Sequence, residues 1–261
     1  MAAWSTLLPS SSSSSFNNNG RVAVVTGGNK GIGFFIALQL GASKLFEHVL
    51  IGCRDESRAA AAVASLSSQC KSCTFSAAPL ILGDANSHDK FAQLIADKYF
   101  GKIHVLVNNA AMAFKNADPT PFAEQCKPTL DVNFRGTVDL TEKLIPLLEK
   151  GTDSRIVNVA SMAGRLNQLS PDRQAQFTNP QLTMAELQNL VDEFERDVLN
   201  GTHQKHGWGN SNYGFSKLAV IAATKIWARQ YYSNSISVNC CCPGYCQTDM
   251  TSQRGPRPPA Q

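Results

Sequence analysis

Four glycines fall within eight residues at Thr26-Gly27-Gly28-Asn29-Lys30-Gly31-Ile32-Gly33, between the apolar run Val22-Ala23-Val24-Val25 and the stretch GIGFFIALQLGASKLF at 31–46. The first of these flanks reads as a buried strand and the second as a helix. Glycines at such a junction allow a tight turn and a close backbone approach, and they aim free N–H groups and the positive helix end at one point. That is the geometry of a pyrophosphate site. A lone glycine cluster could equally be a structural turn. The strand before it and the helix after it supply the context a dinucleotide site requires.

The rest of the chain repeats that rhythm. Further buried-strand candidates are HVLIGCR at 48–54, Thr74 to Leu82, HVLVNNA at 104–110, RIVNVAS at 155–161 and SISVNCC at 235–241, and an Ala-rich amphipathic segment runs from Ser57 to Leu66. Continuous Val/Ile/Leu runs suit strands covered on both faces. The expected fold is therefore α/β, a Rossmann-type doubly wound parallel sheet of about six strands. With 261 residues and 43% hydrophobic content, one well-filled domain over 21–250 is expected. One segment breaks the pattern, because Thr183 and Glu186 form a capping box ahead of Leu187, Leu190, Val191, Phe194 and Val198 at helical spacing. An extra helix is thus expected before Tyr213, packed on the domain or offered to a partner.

Composition excludes several partners. Net charge is +4, with 24 Lys+Arg scattered among 20 Asp+Glu, so neither nucleic acid nor an anionic membrane is expected. No apolar stretch approaches the ~20 residues of a membrane span. The eight cysteines lack a disulfide-framework spacing, which points to thiols in a reducing compartment, the cytoplasm. Cys240, Cys241, Cys242 and Cys246 read as small buried residues at a strand end, with Cys242 as the candidate exposed thiol. Cys70-Lys-Ser-Cys73 has no second pair at zinc-ribbon spacing, and His203 and His206 lack a further ligand nearby, so no metal is expected. Residues 1–20, rich in Ser and Asn and free of charge, read as a disordered tail. A transit peptide would share the serines but would be Arg-rich. The Pro-rich 251–261 reads as a second disordered tail.

An NAD site presents a carboxylate to the ribose about 20 residues beyond the glycines. This chain has Cys53 and Arg54 there instead, with Asn29 and Lys30 able to reach the same region. A guanidinium matches a phosphate bidentately, so NADPH/NADP is preferred to NADH. The alternative is a solvated Arg54 paired with Asp55 or Glu56. Farther on, Tyr213 and Lys217 stand at i and i+4 on a helix starting near Asn212, placing a phenol and an ammonium on one face. That cation, helped by the oxidised nicotinamide, is expected to bring the phenol below its ordinary pKa near ~10, so that it can protonate a carbonyl oxygen as hydride arrives. Ser161 closes the fifth strand at the edge where open α/β sheets bind ligands, and its hydroxyl can steady the developing charge. Asn133, in the helix-like run 130–140, either orders a water leading to Lys217 or bonds nearby backbone.

TGGNKGIG, VNNAA at 107–111, Asn133, Ser161 and YGFSK at 213–217, in that order across 21–250, identify the chain as a member of the short-chain dehydrogenase/reductase family. It resembles the monomeric carbonyl reductases within it through GGNKGIG, AFKNADPTPF at 113–122, HQKHGW at 203–208 and CCPGYCQTDM at 241–250. Plant menthone and salutaridine reductases are similar. The resemblance implies reduction of ketones, aldehydes and quinones by hydride from NADPH, with Ser161, Tyr213 and Lys217 catalytic and Asn133 assisting. It implies cofactor contacts from Gly27, Asn29, Lys30, Gly31, Ile32, Gly33, Arg54, Asn109, Tyr213, Lys217, Pro243, Gly244, Cys246 and Thr248. It also implies substrate contacts from Phe114, Lys115, Gln125, Ser161 and Tyr245, glutathione conjugates among the candidate substrates, and a monomer, since the insertion covers the surface used elsewhere for oligomerisation.

Three departures stand out. Ala111 replaces the usual glycine of VNNAG. The family's adenine-contacting aspartate aligns with Leu82, while Asp84 lies two positions later. After Met250 the chain runs TSQRGPRPPAQ, where the family continues through a helix and a seventh strand, and this predicts an exposed sixth strand and a marginally stable fold. Two alternatives to a general carbonyl reductase are a specialised ketone reductase of the menthone or salutaridine kind and an inactive, truncated NADPH-binding product.

Overall fold

The computed structural model describes residues 3–8, 20–99, 101–115, 117–234 and 236–259. In it the six apolar runs become the strands β1 (Val22–Thr26), β2 (His48–Cys53), β3 (Thr74–Pro79), β4 (Val105–Asn108), β5 (Ser154–Val159) and β6 (Ile236–Cys241). They form one parallel sheet in the order β3-β2-β1-β4-β5-β6. That order reverses between β1 and β4, which opens a ligand crevice at the carboxyl ends of these two strands. Ser235, expected to start the sixth strand, and Asn116, within 113–122, lie outside the described residues.

The helices are α1 (Ala3–Thr6), α2 (Gly31–Ala42), α3 (Glu56–Gln69), α4 (Ala85–Lys98), α5 (Phe122–Leu130), α6 (Gly136–Leu148), α7 (Pro171–Thr178), α8 (Met184–Leu199) and α9 (Asn212–Gln230). Successive strand residues point to opposite faces, and the core divides accordingly. Val22, Val24, Leu50, Leu106 and Ile156 pack with α4, α6 and α9. Ala23, Val25, Val49, Ile51 and Val107 pack with α2 and α3. All of β1 and β2 is buried, which is why neither shows the polar alternation of a half-exposed strand.

The insertion is helical, as the capping box predicts. The Thr183 side chain accepts from Glu186 N at 3.2 Å and Glu186 accepts from Thr183 N at 2.8 Å, and Leu187, Leu190, Val191, Phe194 and Val198 are buried on one face. A second helix, α7, precedes it. Ser170 is its N-cap and Pro171 its first residue, a start signal that was legible but unread.

Both ends depart from the expectation of disordered tails. Trp4 and Leu7 pack on the core beside α2 and α3, and Leu7 O accepts from Ala77 N of the outer strand β3 at 3.1 Å. Residues 9–19 lie outside the described residues. At the other end Gln247 N donates to Arg257 O at 2.7 Å, and a Cβ on Gly255 would stand 2.0 Å from the Cys246 carbonyl carbon, so residues 246–257 fold back on themselves. Among the thiols, Cys246 is buried and Cys242 exposed as expected, while Cys240 and Cys241, expected to be buried, are exposed; on β6 only Ile236 and Val238 are buried.

Candidate active site

The carboxyl end of β1 meets that of β4 through Thr26. Its hydroxyl oxygen accepts from Asn109 N at 3.0 Å and Ala110 N at 2.9 Å, while Asn109 Nδ2 donates to Thr26 O at 2.9 Å. These bonds hold the glycine turn against the VNNAA stretch. The turn needs its glycines for different reasons. Gly27 and Gly31 adopt φ +66° and +55°, left-handed values that side chains disfavour. Gly33 is instead demanded by close approach, since a Cβ there would lie 2.4 Å from Asn109 Nδ2 and 2.5 Å from Gly27 O. No side chain caps the start of α2 at Lys30, so its first N–H groups are left for a ligand acceptor. A cradle that a Cβ would fill, opening on an uncapped helix end, fits a dinucleotide pyrophosphate.

Arg54 is exposed and makes no ion pair among the described residues, because Asp55 is already engaged as the cap of α3 by Arg58 N at 3.0 Å and Ser57 Oγ at 2.8 Å. The alternative of a paired Arg54 is thus not what the structure shows. Asp84 is likewise engaged, capping α4 through Asn86 N and Ser87 N, which removes it as a substitute for the aspartate displaced by Leu82. Asn29 and Ile32 are half-buried in the turn, and Lys30 Nζ reaches Asp249 at 2.8 Å. On the opposite lip Pro243, Gly244 and Tyr245 are exposed, Gly244 at φ +82°, and the Thr248 side chain lies 3.5 Å from where a Cβ on Gly31 would stand.

The three expected catalytic side chains converge beyond β5. Ser161 is the N-cap of a 3-10 turn at Met162–Gly164, and its hydroxyl oxygen accepts from Ala163 N at 3.1 Å. Lys217, buried one helical turn along α9, donates to Val159 O at 2.7 Å and lies 5.8 Å from the Tyr213 ring centroid. Burial pushes the pKa of the Tyr213 phenol up. The cation is held by a carbonyl.

Burial lowers the Lys217 pKa from 10.5 to about 8. Between those values the unfolded chain keeps a proton that the folded chain releases. This group therefore disfavours folding below about pH 8, and the penalty is relieved as pH rises towards 10.5. Denaturant unfolding of the wild type and Lys217→Met is expected to show their stability difference changing by about 2 kcal/mol in favour of the wild type between about pH 7.5 and about pH 10. Parallel pH curves would refute this.

Asn133 lies in a π-helical turn, Asp131–Arg135, between α5 and α6. Such bulges are frequent at functional sites. Of its two expected roles, the backbone one is seen: Asn133 Oδ1 accepts from Met112 N at 2.8 Å, and Nδ2 donates to Met112 O at 2.9 Å and to Ser216 Oγ at 3.0 Å. The side chain thereby hangs the 111–115 strand exit from α9. Sequence reasoning missed a second buried amide chain. Asn108 Nδ2 donates to Asn158 Oδ1 at 2.8 Å and to Thr141 Oγ1 at 2.9 Å, and Asn158 Nδ2 donates to Thr224 Oγ1 at 2.8 Å. It ties β4, β5, α6 and α9 together under the site. Asn108 at the end of β4 and Asn158 one position short of the end of β5 were the available signal.

The proposed substrate residues are less tightly gathered. Phe114 is half-buried and follows the stretch Asn133 holds, Lys115 is exposed, and Gln125 donates its amide to Thr120 O at 2.7 Å. Among the described residues no three His, Cys, Asp or Glu side chains group as a metal site, and no helix is long and apolar enough to cross a membrane.

The profile of the short chain dehydrogenases matches residues 21–170 and 199–258. The chain belongs to the short-chain dehydrogenase/reductase family. The stretch this profile passes over holds α7 and nearly all of α8, so the helical insertion is an addition to the family framework. Among known proteins, carbonyl reductase (NADPH) 1 of Sus scrofa is 39% identical over 249 residues, covering 93% of this chain and 84% of that protein. The Homo sapiens protein of the same name is 39% identical over 247 residues, covering 92% and 87%. Among solved structures, salutaridine reductase from Papaver somniferum superposes with a TM-score of 0.82 at 28% identity, covering 92% of each chain. Menthone neomenthol reductase from Mentha piperita gives 0.75 at 30% identity, covering 86% and 89%.

Proposed function

We propose that this short-chain dehydrogenase reduces small ketones, aldehydes and quinones, taking hydride from NADPH. The observation that carries the reading is the buried Lys217, one helical turn from Tyr213 with its ammonium 5.8 Å from that ring, beside a glycine cradle suited to pyrophosphate. Relatives named as NADPH carbonyl reductases at 39% identity support it. NADPH, when bound, supplies the hydride. Tyr213 donates its phenolic proton to the substrate oxygen, a phenol being protonated at neutral pH. Ser161 donates a second hydrogen bond to the same oxygen. Lys217 holds positive charge behind the phenol, and Asn133 acts as a positioning residue through Met112 and Ser216. Gly27, Gly31, Ile32, Gly33, Asn109, Pro243, Gly244, Cys246 and Thr248 surround the phosphates and nicotinamide, and Asn29, Lys30 and Arg54 take the 2′-phosphate. Phe114, Lys115, Gln125 and Tyr245 border the substrate, where a glutathione conjugate is one candidate. A monomeric domain over 21–250 in the cytoplasm completes the reading, supported by the packed insertion and eight free thiols.

The structural likeness to salutaridine and menthone neomenthol reductases favours a second reading, a reductase of one specialised ketone. Loss of NADPH absorbance across a panel of quinones, aldehydes and cyclic ketones separates the two. Broad turnover with preference for NADPH over NADH is expected, and Arg54→Ala should cut that preference by about tenfold or more. Turnover of a single ketone would favour the second reading, and unchanged cofactor preference would remove Arg54 from the phosphate site.

A further inference from the structure

The segment after β6 is a folded flap. Thr251 Oγ1 donates to Cys246 O at 2.7 Å, Gln253 N donates to Thr248 O at 2.8 Å, and Gln247 N donates to Arg257 O at 2.7 Å. The flap meets the glycine turn through Thr248 beside Gly31 and through Asp249, whose Oδ2 accepts from Lys30 Nζ at 2.8 Å. The other carboxylate oxygen accepts from Gln253 Nε2 at 3.1 Å, so the flap's own fold aims the acid. Lys30 and Asp249 line a cleft of about 440 Å³ together with Asn29, Arg58 and Ser65. An anion built into this chain therefore sits on a lysine of the turn that would otherwise face an incoming phosphate.

We propose that Asp249 is an internal anion competing with the cofactor's 2′-phosphate for Lys30, and that it thereby sets both the margin of NADPH over NADH and the ease with which the 246–257 flap lifts. This rests on the reading of Lys30 as a 2′-phosphate ligand. A phosphate dianion arriving at Lys30 meets a carboxylate at contact distance, so either the ion pair opens or the two anions repel. The side chains of Lys30 and Asp249 are 52% and 64% exposed. Such a pair is weak and screened by salt, which makes it a latch a ligand can open.

Calorimetric titration of the full chain with 2′,5′-ADP and with 5′-AMP, which lacks the 2′-phosphate, tests the proposal. Asp249→Asn should tighten 2′,5′-ADP by about three- to tenfold at low salt while moving 5′-AMP by less than about twofold. The gain should vanish in a Lys30→Gln background, where no ammonium remains to be contested. Tryptic cleavage after Arg254, within the flap, should be faster in Asp249→Asn and in wild type with 2′,5′-ADP than in wild type alone. Equal tightening of both nucleotides, or a gain that persists with Lys30→Gln, would overturn the proposal and mark a general charge effect. If Lys30→Gln alone left 2′,5′-ADP affinity unchanged, the premise about Lys30 would be the part at fault.

Discussion

Replacing Tyr213 by Phe is expected to lower turnover of quinones and ketones by about 10²–10⁴-fold while NADPH affinity stays within about twofold. The substitution removes one oxygen and no packing volume. The ring stays on the first turn of α9, within the pair it forms with Lys217. The lost group is the proton donor, and no other donor replaces it, since the Lys217 ammonium points at Val159 O, 2.7 Å away. Ser161 cannot serve, because its hydroxyl is far too weak an acid and its oxygen already accepts from Ala163 N at 3.1 Å. Single-turnover oxidation of bound NADPH with a quinone isolates the chemical step from product release. A mutant with wild-type rates would place the acid elsewhere.

The electrostatics of this phenol show where sequence reasoning stops. An ammonium at i+4 is legible as a neighbour, and α9 does present both side chains on one face. What the spacing cannot show is that both groups are desolvated. Burial raises the phenol and lowers the ammonium, which opposes the attraction that spacing alone suggests.

Other elements divide along the same line. The six strands were legible because a parallel sheet covered on both faces needs runs such as Val22–Val25 and Val49–Ile51, and the capping box at Thr183 marked α8. Local signals of that kind survive folding. The π-turn carrying Asn133 left no such mark, since the partners of this side chain, Met112 and Ser216, lie far from it in sequence. The exposure of Cys240 and Cys241 follows from the uncovered part of β6, where only Ile236 and Val238 are buried, and not from the character of the two residues themselves. Docking of Leu7 on β3 and the Lys30–Asp249 contact join positions far apart in the chain, the second pair 219 residues apart, and nothing in either segment points to its partner.

Phe215→Ala is expected to cost about 3–5 kcal/mol of stability, and the damage should spread to the active site. Phe215 lies on α9 two residues after Tyr213 and is fully buried. It stacks on Phe194 of α8 with ring centroids 3.8 Å apart and meets Trp208 edge-on at 5.4 Å and Phe177 of α7 at 5.9 Å. Arg173 covers the outer face of Trp208 at 3.7 Å and pairs with Glu193, closing the cluster against water. This one ring thus joins both inserted helices to the helix that carries the proton donor, a junction the basic family framework lacks. Truncation would leave an apolar cavity that α8 cannot fill without moving, because its Asp197 is fixed by Trp208 Nε1 at 2.8 Å and His206 Nδ1 at 2.9 Å. Denaturant unfolding should register the loss, and amide exchange should rise first in α7 and α8. Phe215→Leu, which retains most of the volume, should recover more than half of the stability and nearly all the turnover. A Phe215→Ala protein within about 1 kcal/mol of wild type would mean that the insertion is held by its polar contacts alone.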